Sequence, residues 1–212
     1  MKRCVVLCAG AIGPGALARC APAPDDLLIA ADGGYLRARE LGLVPDLILG
    51  DFDSAPAPDD PRVVRYPVRK DDTDSLLAVK EGLARGCGRF VLLGGLGGRL
   101  DHTLANLQLL LYLKDRGADG VLLDDRHTVR VLRDEAWTVE RFAGYLSLFA
   151  MAGDCRVTLT GMEYPLEDHL LTGAYPLGVS NRVREARGTV TVRDGALLAV
   201  EYREFEDERE ER

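Results

Sequence analysis

A chain of 212 residues is long enough for one large domain or two small ones, and at 47% hydrophobic and 29% charged it has the composition of an ordinary globular protein with ample material for a core. The net charge of −7 excludes the basic face that tracking a nucleic-acid backbone requires, so no nucleic-acid partner is expected. Five cysteines (Cys4, Cys8, Cys20, Cys87 and Cys155) form no CxxC pair and indicate neither a disulfide framework nor a zinc site, and no run approaches the roughly 18 apolar residues of a membrane span.

The start, Met1-Lys2-Arg3 followed by Cys4-Val5-Val6-Leu7-Cys8, faintly resembles a signal peptide. Gly10, Gly13, Pro14 and Gly15 break the apolar stretch too early for that reading, and a cytoplasmic location is expected. From there the first half alternates short apolar runs with helical patterns. Strands are predicted over 3–8, 27–31, 47–49, 63–66, 89–93 and 121–123, and helices over 34–41, 75–85 and 103–116. In the second helix Leu76, Val79 and Leu83 recur at helical spacing, and Gly86 sits where a C-terminal cap belongs. In the third, Leu104, Leu107 and Leu111 do the same, with Asp101 as N-cap and Gly117 closing. Such alternation implies a mostly parallel, doubly wound sheet.

From about Asp124 the runs turn short and β-rich, over 128–132, 145–149, 156–159, 189–192 and 197–202. Ala143-Gly144, Ala152-Gly153-Asp154, Arg187-Gly188 and Asp194-Gly195 separate them as turns, the last being a hairpin signal. The predicted fold class is thus an α/β N-terminal doubly wound, mostly parallel sheet domain over 1–123 plus a C-terminal all-β sandwich domain over 124–203, with a solvated charged tail over 204–212.

Ligands of doubly wound sheets bind outside the carboxyl ends of the strands. Four consecutive strand ends here carry Asp32-Gly33-Gly34, Gly50-Asp51-Phe52-Asp53-Ser54, Lys70-Asp71-Asp72-Thr73-Asp74 and Gly94-Gly95-Leu96-Gly97-Gly98-Arg99-Leu100-Asp101-His102. Asp51 and Asp53 are alternate residues, which an extended backbone points the same way. Carboxylates gathered without matching lysines repel one another unless something neutralises them, and all-oxygen ligation suits Mg²⁺, which leaves positions to water and phosphate oxygens. The bland reading makes Asp51 to Ser54 a turn and Asp71 or Asp72 a helix cap; one of these can cap while Asp74 faces a metal. The glycines between a strand and a helix let backbone N–H groups approach phosphates, and Arg99 can add a forked grip. The run is not a Walker A loop, since no Gly-Lys-Ser/Thr follows.

One further pattern competes. Gly13-Pro14-Gly15-Ala16-Leu17-Ala18 fits GxGxxA, with Asp32 roughly where a ribose-binding acid belongs. Four residues separate Cys8 from Gly13, however, whereas the dinucleotide fingerprint wants its glycines in the immediate turn. Among the histidines, His102 at the mouth of the glycine loop can contact a nucleotide, while His127 and His169 in polar stretches read as surface residues. Trp137 reads as core or interface packing.

The order Asp-Gly-Gly, then Pro45-Asp46-x-x-x-Gly50-Asp51-Phe52-Asp53-Ser54, then Lys70-Asp71-Asp72-Thr73-Asp74, then Gly-Gly-Leu-Gly-Gly-Arg-x-Asp101-His102 closely resembles the thiamine pyrophosphokinase family. Tyr145-Leu146-Ser147-Leu148, Tyr164-Pro165-Leu166, Gly178-Val179-Ser180-Asn181 and Gly188-Thr189-Val190 are similar to that family's later segments. The resemblance implies transfer of pyrophosphate from ATP to thiamine, giving thiamine diphosphate and AMP. It also implies Mg²⁺ as cofactor, a catalytic α/β domain, and a β-sandwich that serves thiamine binding and dimerisation. A homodimer with thiamine near the junction between subunits follows from it too. By residue-level match, Asp51, Asp53 and Asp74 correspond to the Mg²⁺ ligands, with Asp32 close to metal and phosphates. Asp101 meets the thiamine or its hydroxyl, and Ser180 and Asn181 contribute to the vitamin pocket. Gly33, Lys70, Thr73, Gly94, Gly95, Gly97, Gly98, Arg99 and His102 fall on the nucleotide side. The chain departs from the pattern where Arg182-Val183 stands in place of the frequent acidic-aromatic pair after Ser-Asn. Two rivals share much of this: a pyrophosphokinase for a hydroxymethylpterin-like acceptor, and a non-catalytic nucleotide or thiamine sensor, for which a catalytic metal set has no use.

Overall fold

The computed structural model describes residues 1–52, 57–67 and 71–205, and the chain divides into two compact units, Met1–Asp125 and Arg126–Arg212. In the first unit the elements run β1 (Lys2–Leu7), α1 (Pro14–Cys20), β2 (Leu27–Ala31), α2 (Gly34–Glu40), β3 (Leu47–Gly50), β4 (Val63–Arg65), α3 (Asp74–Ala84), β5 (Cys87–Leu93), α4 (Leu100–Lys114) and β6 (Asp119–Leu123). The strands lie in the order β4-β3-β2-β1-β5-β6, and all these pairings are parallel. The chain therefore steps outward from β1 to β4, returns to the other side of β1 for β5, and leaves a topological switch point between β1 and β5.

Both faces of the sheet are covered. Val5 and Leu7 of β1 cluster with Ala16 and Cys20 of α1 and Ala38 of α2. On the opposite pleat Cys4 and Phe90 meet Gly82 of α3, where a Cβ would come within 2.6 Å of the phenyl ring. The buried helix faces differ from the predicted leucine stripes. In α3 they are Leu77, Ala78, Val79 and Gly82; in α4 they are Asn106, Leu109, Leu110 and Leu113, while Leu104 is 54% exposed. Small residues let α3 lie close on the flat sheet, which rotates the contact face away from the bulkiest side chains.

Helix α1 escaped prediction, although Pro14 at its first turn is a start signal. The glycines read as a possible fingerprint there face an acid instead. Ala16 N–H donates to Asp125 Oδ1 at 2.7 Å, and Cβ atoms on Gly13 or Gly15 would press on that carboxylate. The predicted N-caps also move. Helix α3 is capped by Thr73, whose hydroxyl accepts from Leu76 N–H at 3.2 Å, and Asp72 pairs with Lys80 at 2.5 Å instead. Helix α4 begins at Leu100 after Arg99, so Asp101 lies inside its first turn. Gly86 and Gly117 adopt the left-handed conformation expected of helix ends.

The second unit is all β: β7 (His127–Arg133), β8 (Ala136–Glu140), β9 (Gly144–Met151), β10 (Cys155–Thr160), β11 (Leu166–Leu171), β12 (Arg187–Arg193) and β13 (Ala196–Arg203). Antiparallel β7-β13-β9 and β11-β10-β12-β8 layers enclose a core that includes Leu146, Leu148, Val157, Leu159, Val190 and Leu197. Strands β8 and β11 were not predicted. β8 is only five residues long, although Trp137 and Val139 alternate inward, and four of the six residues of β11 are exposed, which leaves it no alternation to read. Asp194-Gly195 is a turn, but not a hairpin: β12 pairs with β10 and β8, whereas β13 pairs with β7 and β9. Arg187-Gly188 opens β12 rather than a turn.

Trp137 packs against this core with the Arg130 guanidinium 4.6 Å above its ring. His169 is exposed, whereas His127 is half-buried, its ring 5.3 Å from that of Tyr202. Glu204, counted with the tail, donates its N–H to Ala143 O and meets Arg182 at 3.4 Å; residues 206–212 lie outside the described residues. All five cysteines are buried and free. No helix among the described residues is long and apolar enough to cross a membrane.

Candidate active site

A cleft of about 670 Å³ opens at the carboxyl ends of the first unit's strands. Its floor lies at the switch point, where the loops after β1 and β5 touch backbone to backbone. Gly10 N–H donates to Gly94 O at 3.1 Å, and a Cβ on Gly94 would lie 2.7 Å from Gly10 O. Cys8 lies at the same floor, 3.5 Å from Ser75 Oγ, and burial pushes its thiol up to about 11, which keeps it neutral and unreactive.

Of the four described acids that line this cleft, three converge and the fourth, Asp72, pairs with Lys80. Asp32 follows β2, Asp51 follows β3 and Asp74 opens α3, and one carboxylate oxygen from each lies within 4.8 Å of the others, all half-buried. Three carboxylates so close form a hard, all-oxygen donor set that fits a divalent cation such as Mg²⁺ and leaves room for phosphate oxygens. Asp53 and Lys70 lie outside the described residues. The residue between the two acids, Phe52, has φ 56°, so the backbone leaving Asp51 is not the extended run from which a shared direction was argued. Its ring is buried, 6.4 Å from that of Tyr35, with the Arg65 guanidinium 5.8 Å away.

The other predicted residues divide between wall and rim. Gly33, Thr73, Gly94, Gly95, Gly97 and Gly98 line the cleft, as do Arg99 and His102. Asp101 stands beside it on the first turn of α4, 62% exposed. Arg99 grips Asp101 in a fork, Nε to Oδ1 at 3.1 Å and the terminal nitrogen to Oδ2 at 2.6 Å. That pairing, helped by the His102 N–H, holds the Asp101 carboxyl down at about 2. The group is therefore an acceptor of hydrogen bonds and cations, but a feeble base near neutrality.

Arg37 and Asn106 are among the wall residues that were not singled out in the sequence. Arg37, one turn into α2, donates through Nε to Ala9 O at 3.1 Å and pairs with Glu40 at 2.6 Å, so it ties the β1 loop to the Asp-Gly-Gly segment. Asn106 is buried in α4 and donates to Gly95 O at 2.8 Å. A lone asparagine among leucines on a buried helix face was the available signal for it.

The second unit has its own pocket of about 420 Å³, walled mainly by apolar groups and including Leu159, Tyr164, Leu177, Val179, Ser180 and Asn181. Ser180 is exposed, and its N–H donates to Ser147 Oγ at 3.0 Å. Asn181 is buried and bonded through both ends of its amide. Its amide donates to Tyr164 O at 2.8 Å, and its oxygen accepts from Tyr164 N–H at 3.0 Å and Arg182 N–H at 2.8 Å. Arg182 lies 4.0 Å over the Tyr145 ring, and Val183 is buried in the core.

Two models of one family match this chain in succession: "Thiamin pyrophosphokinase, catalytic domain" over residues 23–122 and "Thiamin pyrophosphokinase, vitamin B1 binding domain" over 126–197. The chain belongs to the thiamin pyrophosphokinase family. A thiamine pyrophosphokinase of Bacillus subtilis (strain 168) is 29% identical over 184 residues, covering 82% of this chain and 86% of its own. The crystal structure of the enzyme from that species superposes with a TM-score of 0.87 at 26% identity, covering 96% of this chain and 100% of its own. The thiamin pyrophosphokinase of Geobacillus thermodenitrificans gives 0.83 at 28% identity, covering 97% and 99%. That of Candida albicans, at 14% identity, shares the fold with a TM-score of 0.80 over 95% of this chain and 89% of its own. Asp32, Asp51 and Asp74 thus lie in the stretch matched by the catalytic-domain model, and the apolar pocket lies in the stretch matched by the vitamin B1 binding model.

Proposed function

We propose that the chain transfers the terminal pyrophosphoryl group of ATP to the hydroxyl of thiamine, giving thiamine diphosphate and AMP. The observation that carries this reading is the convergence of Asp32, Asp51 and Asp74 beside a glycine loop in a chain of the thiamin pyrophosphokinase family. These three acids, with Asp53, would hold Mg²⁺. The ion, when bound, supplies the positive charge that offsets the polyphosphate in an acidic protein. The chain's own residues position the reactants. The loop at 94–98 and the N-terminus of the fifteen-residue α4 receive phosphate oxygens, and Arg99 supports them.

In the transfer, the thiamine hydroxyl oxygen attacks the β-phosphorus. The bond from that phosphorus to the bridging oxygen of the α-phosphate breaks, and AMP leaves with that oxygen. The hydroxyl proton passes to solvent or to a phosphate oxygen. Positioning carries most of the work in such transfers. Asp101, held low by Arg99, serves to orient the hydroxyl or the cationic acceptor rather than to remove a proton.

The first unit is thus the nucleotide and metal domain, and the second supplies the apolar pocket for the vitamin at Ser180. Tyr164, Leu177 and Val179 around that pocket are 64%, 43% and 46% exposed, which supports a homodimer that covers them. Five buried free thiols support a reducing, cytoplasmic setting. The test is incubation with ATP, Mg²⁺ and thiamine. AMP with thiamine diphosphate is expected. ADP with thiamine monophosphate would mean simple kinase chemistry, a pterin preferred in a substrate panel would move the acceptor, and no thiamine-dependent turnover would end the enzyme reading.

A further inference from the structure

The loop at 94–98 contains four glycines, three of which (Gly94, Gly97 and Gly98) have positive φ. Such a segment loses much entropy on taking one form, so something must hold it. Three of its carbonyls are held by donors from the protein. Gly94 O accepts from Gly10 N–H at 3.1 Å, Gly95 O from Asn106 Nδ2 at 2.8 Å, and Gly97 O from Thr103 Oγ1 at 3.2 Å. In trans peptides the following N–H points opposite to each carbonyl, so the same bonds set where the loop's donors point. A carbonyl left loose in this cleft would repel a phosphate oxygen, whereas one anchored away from it does not.

Of the three anchors only Asn106 is a buried side chain. It is 6% exposed, it lines the cleft, and its neighbours on the same helix face are Leu109, Leu110 and Leu113. At that depth, water cannot readily replace a lost amide. Gly95 is also pressed from behind, where a Cβ would lie 2.7 Å from Leu122 Cδ2 and 3.2 Å from Asn106 Nδ2. At Gly95 the loop is therefore both wedged against β6 and bonded to α4.

We infer that Asn106 is a positioning residue of the nucleotide site: its amide fixes the Gly95 carbonyl and so keeps the glycine loop in the form that receives polyphosphate oxygens. The inference rests on the cleft being the ATP site.

The test uses Asn106→Leu, of similar size and good helix propensity, and Asn106→Ala, beside Leu109→Ala, which strips packing from the same helix without touching the loop. KM for ATP and for thiamine, Tm, and calorimetric binding of a non-hydrolysable ATP analogue without thiamine are measured for each. Both Asn106 variants should raise KM for ATP and weaken analogue binding on the order of tenfold, with KM for thiamine within about twofold of wild type. Leu109→Ala should lower Tm and leave KM for ATP unchanged. The inference is overturned if the Asn106 variants bind the analogue as wild type does. It is equally overturned if Leu109→Ala weakens ATP as much, or if both substrates' KM values rise together. A wild-type chain that neither binds nor consumes ATP would instead refute the nucleotide reading on which it rests.

Discussion

Replacing Asp51 with asparagine should stabilise the metal-free protein while removing its response to Mg²⁺. Each pair among Asp32, Asp51 and Asp74 brings carboxylate oxygens within 4.8 Å. At that separation two unit charges repel by about 0.9 kcal/mol in a water-like medium and about 3.5 kcal/mol at an effective dielectric of 20. All three groups are half-buried, so solvent screening pulls the value toward the lower end, about 1 kcal/mol per pair. The Asp51→Asn substitution would remove two of the three pairs, worth about 2 kcal/mol, or roughly 4–8 °C in Tm for a chain of this size. Wild type should recover a similar amount from the metal, since a ligand at 100 times its Kd adds about 2.7 kcal/mol. The assay is thermal melting of wild type and Asp51→Asn, each in EDTA and in saturating MgCl₂, with turnover measured in parallel. Wild type should melt lower in EDTA and gain on Mg²⁺ addition; the variant should melt higher in EDTA, gain little, and lose turnover. A variant that melts below wild type in EDTA, or gains as many degrees from Mg²⁺, would refute the argument that these acids are held together for a cation.

Three further outcomes follow from contacts described above. Arg99→Gln should release the Asp101 carboxyl from about 2 toward the ordinary 3.8, read as the midpoint of a carboxyl NMR titration. Because the folded value is the depressed one, the pair's contribution is present above about 3.8 and lost as pH falls through about 2; an unmoved midpoint would exclude the pairing. Asn181→Leu strands the Tyr164 N–H and carbonyl and the Arg182 N–H, and should lower Tm by about 5–15 °C, with denaturant melts as the check. Gly50→Ala puts a Cβ 3.0 Å from Asp32 Cα and should cost about 1–3 kcal/mol while shrinking the Mg²⁺-induced rise in Tm; a full response to Mg²⁺ would show that the strand ends need not approach so closely.

Much of the first unit was legible because its chemistry is written in short segments at strand ends. Asp32-Gly33, Gly50-Asp51, Thr73-Asp74 and the glycine loop each announce themselves locally, and a parallel sheet must bring its strand ends to one edge. What escaped depends on partners distant in sequence. Asp125 gives Gly13 and Gly15 their reason to lack side chains, yet it lies about a hundred residues further along, so the sequence could set the fingerprint reading of the pair aside without supplying their actual role. The Asp194-Gly195 turn is locally right, but nothing in two residues says that β12 and β13 will join different sheets. Asn181 does line the apolar pocket, but nothing in the sequence signals that its amide also bonds the backbone of Tyr164 and Arg182. The leucine stripes of α3 and α4 mark helices correctly but give the buried face only in part: in α3 it includes Ala78 and Gly82, which pack closer than leucine can, and in α4 it runs through Leu109, Leu110 and Leu113 instead.

Acids and glycines look like two separate motifs in the sequence, one for metal and one for phosphate. In the fold they are one device. Asp32 N–H donates to Leu49 O at 2.7 Å, joining the end of β2 to β3, and Gly50 follows at the point where a side chain would press on Asp32 Cα and Cβ. The bare glycine lets the two strand ends close, and the closure is what brings the Asp32 and Asp51 carboxylates within reach of one cation. Asp74 then arrives from α3, whose start is fixed by the Thr73 cap rather than by any acid, so its carboxylate can join the cluster instead of capping the helix. Each acid is thus placed by an uncharged neighbour that settles the local backbone. This arrangement gathers three like charges at one point on a backbone fixed by the strand ends and the cap, where a bound cation would relieve their mutual repulsion.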